Sequence, residues 1–231
     1  EGFRDTVVEF AMRYGNPGLP AVLESMFRQG VRKLLVLPMY PQYSATTTAS
    51  TFDAVAADFR QRRWLPDFRF ITHYHDYSPY IEAVAASVRE HWQEHGRAQK
   101  LIFSYHGIPM KYLMKGDPYH CECHKTARLV AEALGIGPDE YLTTFQSRFG
   151  REEWLKPYTD HTLKALPSEG VTSVQIVCPG FSADCLETIE EIGEENREYF
   201  IAAGGERYEY IGALNDRKEH IAALGALVAS H

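Results

Sequence analysis

The chain has 231 residues, 45% hydrophobic and 24% charged, with a formal net charge of -7. That composition is of a globular protein and excludes a disordered chain. No apolar run reaches the ~20 residues of a membrane-spanning helix, and no basic stripe supports nucleic-acid binding.

Short β-rich runs alternate with amphipathic helical stretches. Strands are expected over 6–13, 33–39, 68–73, 100–105, 141–146, 172–178 and 207–211. Several are apolar throughout, as in Leu34-Leu35-Val36-Leu37, the pattern of strands covered on both faces. Helices are expected over 19–29, 46–62, 79–95, 120–134, 155–166, 184–203 and 216–229. Gly30 and Gly135 follow the first and fourth, as is common just past a helix end. The repeated order predicts an α/β fold with parallel sheets. No Gly-x-Gly-x-x-Gly or phosphate loop supports a nucleotide site.

In such sheets ligands sit beyond the carboxyl ends of the strands. Those ends carry Arg13-Tyr14-Gly15, Tyr40-Pro41-Gln42, His73-Tyr74-His75, His106-Gly107, Gln146-Ser147-Arg148 and Pro179-Gly180-Phe181. Tyr, His, Arg and Phe crowd one edge, where loops ordinarily carry Gly, Asn and Ser. This predicts a cleft for a large, flat, partly apolar ligand with anionic handles; the bland alternative is loop packing onto the core. His106, between an apolar strand and Gly107, is the foremost candidate for proton transfer or metal binding. A hydrogen-bonded structural histidine is the competing reading.

After Asp184, a candidate N-cap, come two acidic columns: Glu187/Glu191/Glu195 and Glu190/Glu194/Glu198. Like charges at i,i+4 destabilise a helix by roughly 0.2–0.5 kcal/mol per pair. A solvated face would account for one column; the other can carry a cation or relay protons, tasks associated with π-type turns. The four cysteines are Cys121, Cys123, Cys178 and Cys185. Cys121-Glu122-Cys123 is too tight for a zinc motif, and four thiolates would suffice for an iron–sulfur cluster. Free thiols are the alternative.

The sequence resembles the ferrochelatases. The resemblance rests on Leu37-Pro38-Met39-Tyr40-Pro41-Gln42-Tyr43-Ser44, Ser104-Tyr105-His106-Gly107-Ile108-Pro109, Gly116-Asp117-Pro118-Tyr119, Phe145-Gln146-Ser147-Arg148-Phe149-Gly150 and Cys178-Pro179-Gly180-Phe181-Ser182-Ala183-Asp184-Cys185-Leu186-Glu187-Thr188. It implies two Rossmann-like, chelatase-type halves around a porphyrin cleft, the first half incomplete because about the first quarter of the family chain has no counterpart here. The expected division is 1–60 for the first half, 61–205 for the second, and 206–231 returning to the first.

The implied activity is insertion of Fe²⁺ into protoporphyrin IX to form heme b, releasing two protons. His106 and Glu187 would be catalytic. His106, Glu187, Glu191 and Glu195 would meet the metal, the last two on a π-helical stretch. Arg13, Tyr14, Tyr40, Trp154 and Phe181 would contact the porphyrin. Ala45 stands where animal-type members have a cluster cysteine, so that cluster type is excluded; a [2Fe-2S] cluster on Cys121 and Cys123 would follow some bacterial members. Cys185 replaces a histidine common beside the glutamate. The alternatives are a coproporphyrin-using chelatase, a smaller cobalt or nickel chelatase, a non-catalytic porphyrin- or metal-binding module, and a purely structural α/β domain. Partners would be porphyrin and ferrous iron, with peripheral membrane contact. Glu1-Gly2-Phe3-Arg4-Asp5 matches neither a signal nor a transit peptide, so a cytoplasmic location is expected for a chain that is a fragment or a processed product.

Overall fold

The computed structural model describes residues 6–231; the opening pentapeptide lies outside them. The first unit runs α1 (Leu19–Arg28), β1 (Lys33–Val36), a π-helical turn (Ala45–Ala49), α2 (Ser50–Phe59) and β2 (Asp67–Phe70). Next come α3 (Ser78–His95), β3 (Lys100–His106), α4 (Met110–Met114), α5 (Tyr119–Leu134), β4 (Tyr141–Gln146), α6 (Thr159–Ala165) and β5 (Ser173–Val177). A π-helix (Glu187–Glu195), α7 (Asn196–Ala202), β6 (Arg207–Ile211) and α8 (Lys218–Ala229) complete the order.

β1 and β2 pair in a two-stranded parallel sheet, and the second sheet is parallel in the order β4-β3-β5-β6. β3 is central: Ile102, Phe103 and Tyr105 have no exposed surface, each burial contributing on the order of 1.5–3 kcal/mol. From β3 the chain crosses to β4 on one side and then to β5 on the other. Such a reversal opens a crevice at the carboxyl ends of the adjacent strands.

Several expectations need correction. The run 6–13 forms no strand; a single bridge joins Met12 to Gly18, and Val8, Phe10 and Met12 lie exposed. The stretch 155–166 turns helical only at Thr159, because its start is spent on the sheet. There Leu155 N–H donates to Ile108 O at 3.0 Å and Pro157 O accepts from Phe145 N–H at 2.9 Å. The division at residue 60 falls before β2, which pairs with β1. The 207–211 strand extends the second sheet beside β5 rather than returning to the first. The short helix α4 had no counterpart among the expected elements.

Candidate active site

β3 ends at His106, directly opposite Gln146, the last residue of β4. His106 Nδ1 lies 2.7 Å from the Gly107 carbonyl. A carbonyl only accepts, so the proton sits on Nδ1 and the Nε2 lone pair is left available. Gly107 is required by close approach: a Cβ there would stand 3.0 Å from Gln146 O and 3.1 Å from the Trp154 ring. Trp154 is buried, 6.4 Å from the His106 ring and 4.7 Å from Phe149, centroid to centroid.

Gln146 ties the second wall to the first. Its Nε2 donates to Glu187 O at 2.8 Å, and its Oε1 accepts from Ser104 Oγ at 2.7 Å. Asp184 does not cap the following helix as expected. Its carboxylate accepts from Tyr210 OH (2.7 Å), Asn215 Nδ2 (2.7 Å), Thr188 Oγ1 (3.0 Å) and Ala213 N–H (3.2 Å), which pins the loop after β5 to the end of β6. Burial alone would raise the Asp184 pKa, but these donors hold it below the usual range.

The pinned loop delivers Glu187 to the start of the nine-residue π-helix. The Cys185 thiol, then the Glu187 backbone N–H, and then the nearby His106 ring hold the Glu187 carboxyl below the ordinary carboxylate range. Burial, then Glu187 itself, pushes the Cys185 thiol up. Glu191 accepts from Ser147 N–H at 2.7 Å and from Ser147 Oγ. Ser147 has φ of 62°, an uncommon conformation for a residue other than glycine. Glu195 is exposed at the far end. The column therefore runs from the half-buried His106 side to open solvent.

In the first unit, Arg13 Nε donates to Ser50 O and Ser50 Oγ, both at 3.0 Å, and its guanidinium lies 4.5 Å over the Tyr14 ring. Tyr14 is 73% exposed. Burial, and secondarily Tyr14, raises the Tyr40 pKa. Ser182 Oγ donates to Met39 O at 2.9 Å, joining the loop that carries Tyr40 to the one that carries Phe181. Arg13 and Tyr14 are thus exposed with Arg13 held by Ser50, whereas Trp154 is buried and His106 and Glu187 are half-buried.

The cysteine pair needs correction. Cys121 is exposed on α5, whereas Cys123 is fully buried among Tyr105, Tyr119 and Ala127, where burial pushes its thiol pKa up. Residues two apart on a helix do not share a face, so these thiols cannot jointly hold a [2Fe-2S] cluster. Sequence reasoning also missed Ser50 as anchor of Arg13, Ser147 as partner of Glu191 and the structural use of Gln146. The last two stood in a recognised motif, but only the fold shows what they touch.

The ferrochelatase family model matches residues 1–231. The Ferrochelatase of Idiomarina loihiensis is 72% identical over 225 residues, covering 97% of this chain and 62% of the relative. That of Marinobacter nauticus is 71% identical over 224 residues, covering 97% and 60%. The chain thus spans about 60% of the length of these relatives. Among solved structures, "SirB from Bacillus subtilis with Fe3+" superposes with a TM-score of 0.68 at 14% identity, over 98% of this chain and 82% of that one. It shares the fold, an α/β arrangement of Rossmann-like, chelatase-type halves. On its motifs, its fold and this family match, the chain belongs to the ferrochelatase family.

Proposed function

We propose that this chain carries the reacting centre of an enzyme that inserts Fe²⁺ into protoporphyrin IX to form heme b. The observation that carries the reading is that β3 ends in His106 at the strand-order reversal, while Gln146 opposite it bonds Glu187 O at the head of a π-helical carboxylate column. Insertion must remove two pyrrole protons as the metal enters. His106 offers a free Nε2 to accept a proton on one face, and Glu187, its carboxyl held below the ordinary range with Cys185 the foremost cause, offers a negative charge on the other. Glu191 and Glu195 lead from that face to solvent and suit the passage of Fe²⁺ or of released protons. Trp154, Phe181 and Tyr40 supply flat contacts for a macrocycle, and rigid contacts on both faces favour a bent porphyrin whose nitrogens are exposed. The exposed Arg13 suits a propionate.

The exposed side chains Phe10, Met12 and Met39 support a peripheral membrane contact. No described helix is long and apolar enough to cross a membrane. A cytoplasmic location belongs to the same proposal.

The test is anaerobic Fe²⁺ insertion, followed optically, by the chain extended to the length of its relatives. His106→Ala should lower turnover by about 10²–10⁴-fold while porphyrin affinity changes little. Equal turnover in the variant would overturn the role of His106. Tight binding without turnover in the unmutated protein would leave a porphyrin-binding module. Faster insertion into coproporphyrin would reassign the substrate.

A further inference from the structure

The geometry points to a second metal site, made by His73, His75 and Glu122, that takes a borderline divalent cation such as Zn²⁺ at the seam between the two sheets. It shares no residue with the cleft. His73 and His75 follow β2, and Glu122 lies in the first turn of α5. One ligand atom from each lies within 4.8 Å of the others.

Both histidines converge on the one carboxylate, at distances close to those between ligands of one ion. Glu122 Oε1 is 2.8 Å from His73 Nδ1, and Glu122 Oε2 is 3.2 Å from His75 Nδ1. Ligand atoms around a tetrahedral zinc with bonds near 2.0–2.1 Å stand roughly 3.3 Å apart. Two histidines and a glutamate are a donor set that zinc accepts, with a fourth position for water.

A plain hydrogen-bonded cluster leaves one atom unexplained. His75 is 6% exposed, and its buried Nδ1 has no hydrogen-bond partner despite its nearness to Glu122. A buried nitrogen without a partner costs about 1–3 kcal/mol; a cation held between it and the carboxylate removes that cost. Glu122 Oε2 also accepts from Tyr43 N–H at 2.6 Å, and ligating carboxylates are characteristically oriented by such bonds. The nearest cation, Lys125, is already engaged by Asp76 at 2.6 Å. His73, with half its side chain exposed, gives a route in from solvent. Because Tyr43 follows β1 and Glu122 begins α5, a bound ion would fasten the first sheet to the second unit.

The experiment uses the protein at its relatives' length, carrying His106→Ala, Glu187→Gln, Glu191→Gln and Glu195→Gln so that the cleft contributes no metal ligand. The protein is stripped with chelator and titrated with Zn²⁺, and Co²⁺ reports ligand geometry through its visible absorption. The expected result is one equivalent of Zn²⁺ per chain, a tetrahedral Co²⁺ spectrum and a rise in Tm on loading. His73→Ala, at an exposed position that should not disturb folding, and Glu122→Gln, which can still accept from Tyr43, should each weaken Zn²⁺ binding by roughly tenfold or more. Absence of Zn²⁺ binding in the cleft-disabled protein, or unchanged affinity in His73→Ala, would overturn the site.

Discussion

Two of the histidine and glutamate sets among the described residues, one in the cleft and one at the seam, are built in opposite ways. In the cleft, His106 turns to its own neighbour's carbonyl and Glu187 to the Cys185 thiol. Among the described residues no ion pair joins the two, and they come from a rigid strand end and a π-helix. At the seam, both histidines lie against one carboxylate, and that carboxylate also accepts from a backbone N–H. A centre proposed to admit a planar macrocycle and release its product keeps its charges apart and anchored from behind. A centre that holds an ion converges them. Residue type alone does not separate these tasks; what lies behind each side chain does.

The largest expected effect comes from exchanging carboxylate for amide at each place. Glu187→Gln removes the carboxylate charge and should lower insertion by about 10²–10³-fold, with stability changing by about 0.5 kcal/mol or less. Glu122→Gln should do the reverse: turnover within roughly threefold of the parent and a loss of about 1–3 kcal/mol from the buried network. Urea unfolding and initial insertion rates, measured on both variants, check the pair. If Glu122→Gln abolishes insertion, or Glu187→Gln mainly destabilises, the division between a working and a holding centre fails.

Where the proposed cleft residues fall on the strands and helices was largely legible in the sequence, and little of the seam was. His106 stood out because a histidine ended an apolar strand before glycine, and the acidic columns because their four-residue spacing is local. The seam could not be read that way: Glu122 is 47 residues beyond His75, and the pairing depends on how α5 packs against the loops after β1 and β2. The missed features share this cause. The run 6–13 is rich in apolar and β-branched residues as a strand is, yet no partner strand among the described residues covers it. The first π-turn, Ala45–Ala49, has no acidic spacing to mark it. The cysteine pair was misread because a count of thiols says nothing about helical phase, which sends Cys121 outward and Cys123 into the core.

A smaller effect sharpens the cleft side. The Cys185 thiol is the foremost cause of the low Glu187 pKa. Cys185→Ala should therefore raise that pKa, so the carboxylate protonates at higher pH as acidity increases. The acid limb of the kcat/KM profile should then move to higher pH, with the plateau reduced by about threefold or less. Cys185→Ser, whose hydroxyl can still donate, should return the limb most of the way. A limb unmoved in the alanine variant would show that another group, or unfolding, sets it.

That last distinction depends on the acid stability of the whole fold, and Glu209 on β6 gives a handle on it far from either centre. Burial would raise its pKa, but hydrogen bonds from Arg207, Gln175 and His91 bring it to about 2 from an ordinary 4.5. A carboxyl depressed in the folded state contributes stability fully above its unfolded pKa and loses it as pH falls toward the folded value. The contribution should be intact at neutral pH and decline from about pH 4.5 toward about pH 2. Glu209→Gln removes that dependence. After solvent screening the effect is on the order of 1 kcal/mol. The urea midpoint of the parent should fall more steeply between about pH 5 and about pH 3 than that of the variant. If the acid limb of turnover follows this midpoint in both proteins, the limb reports unfolding; if it stays fixed while the midpoint changes, it reports Glu187.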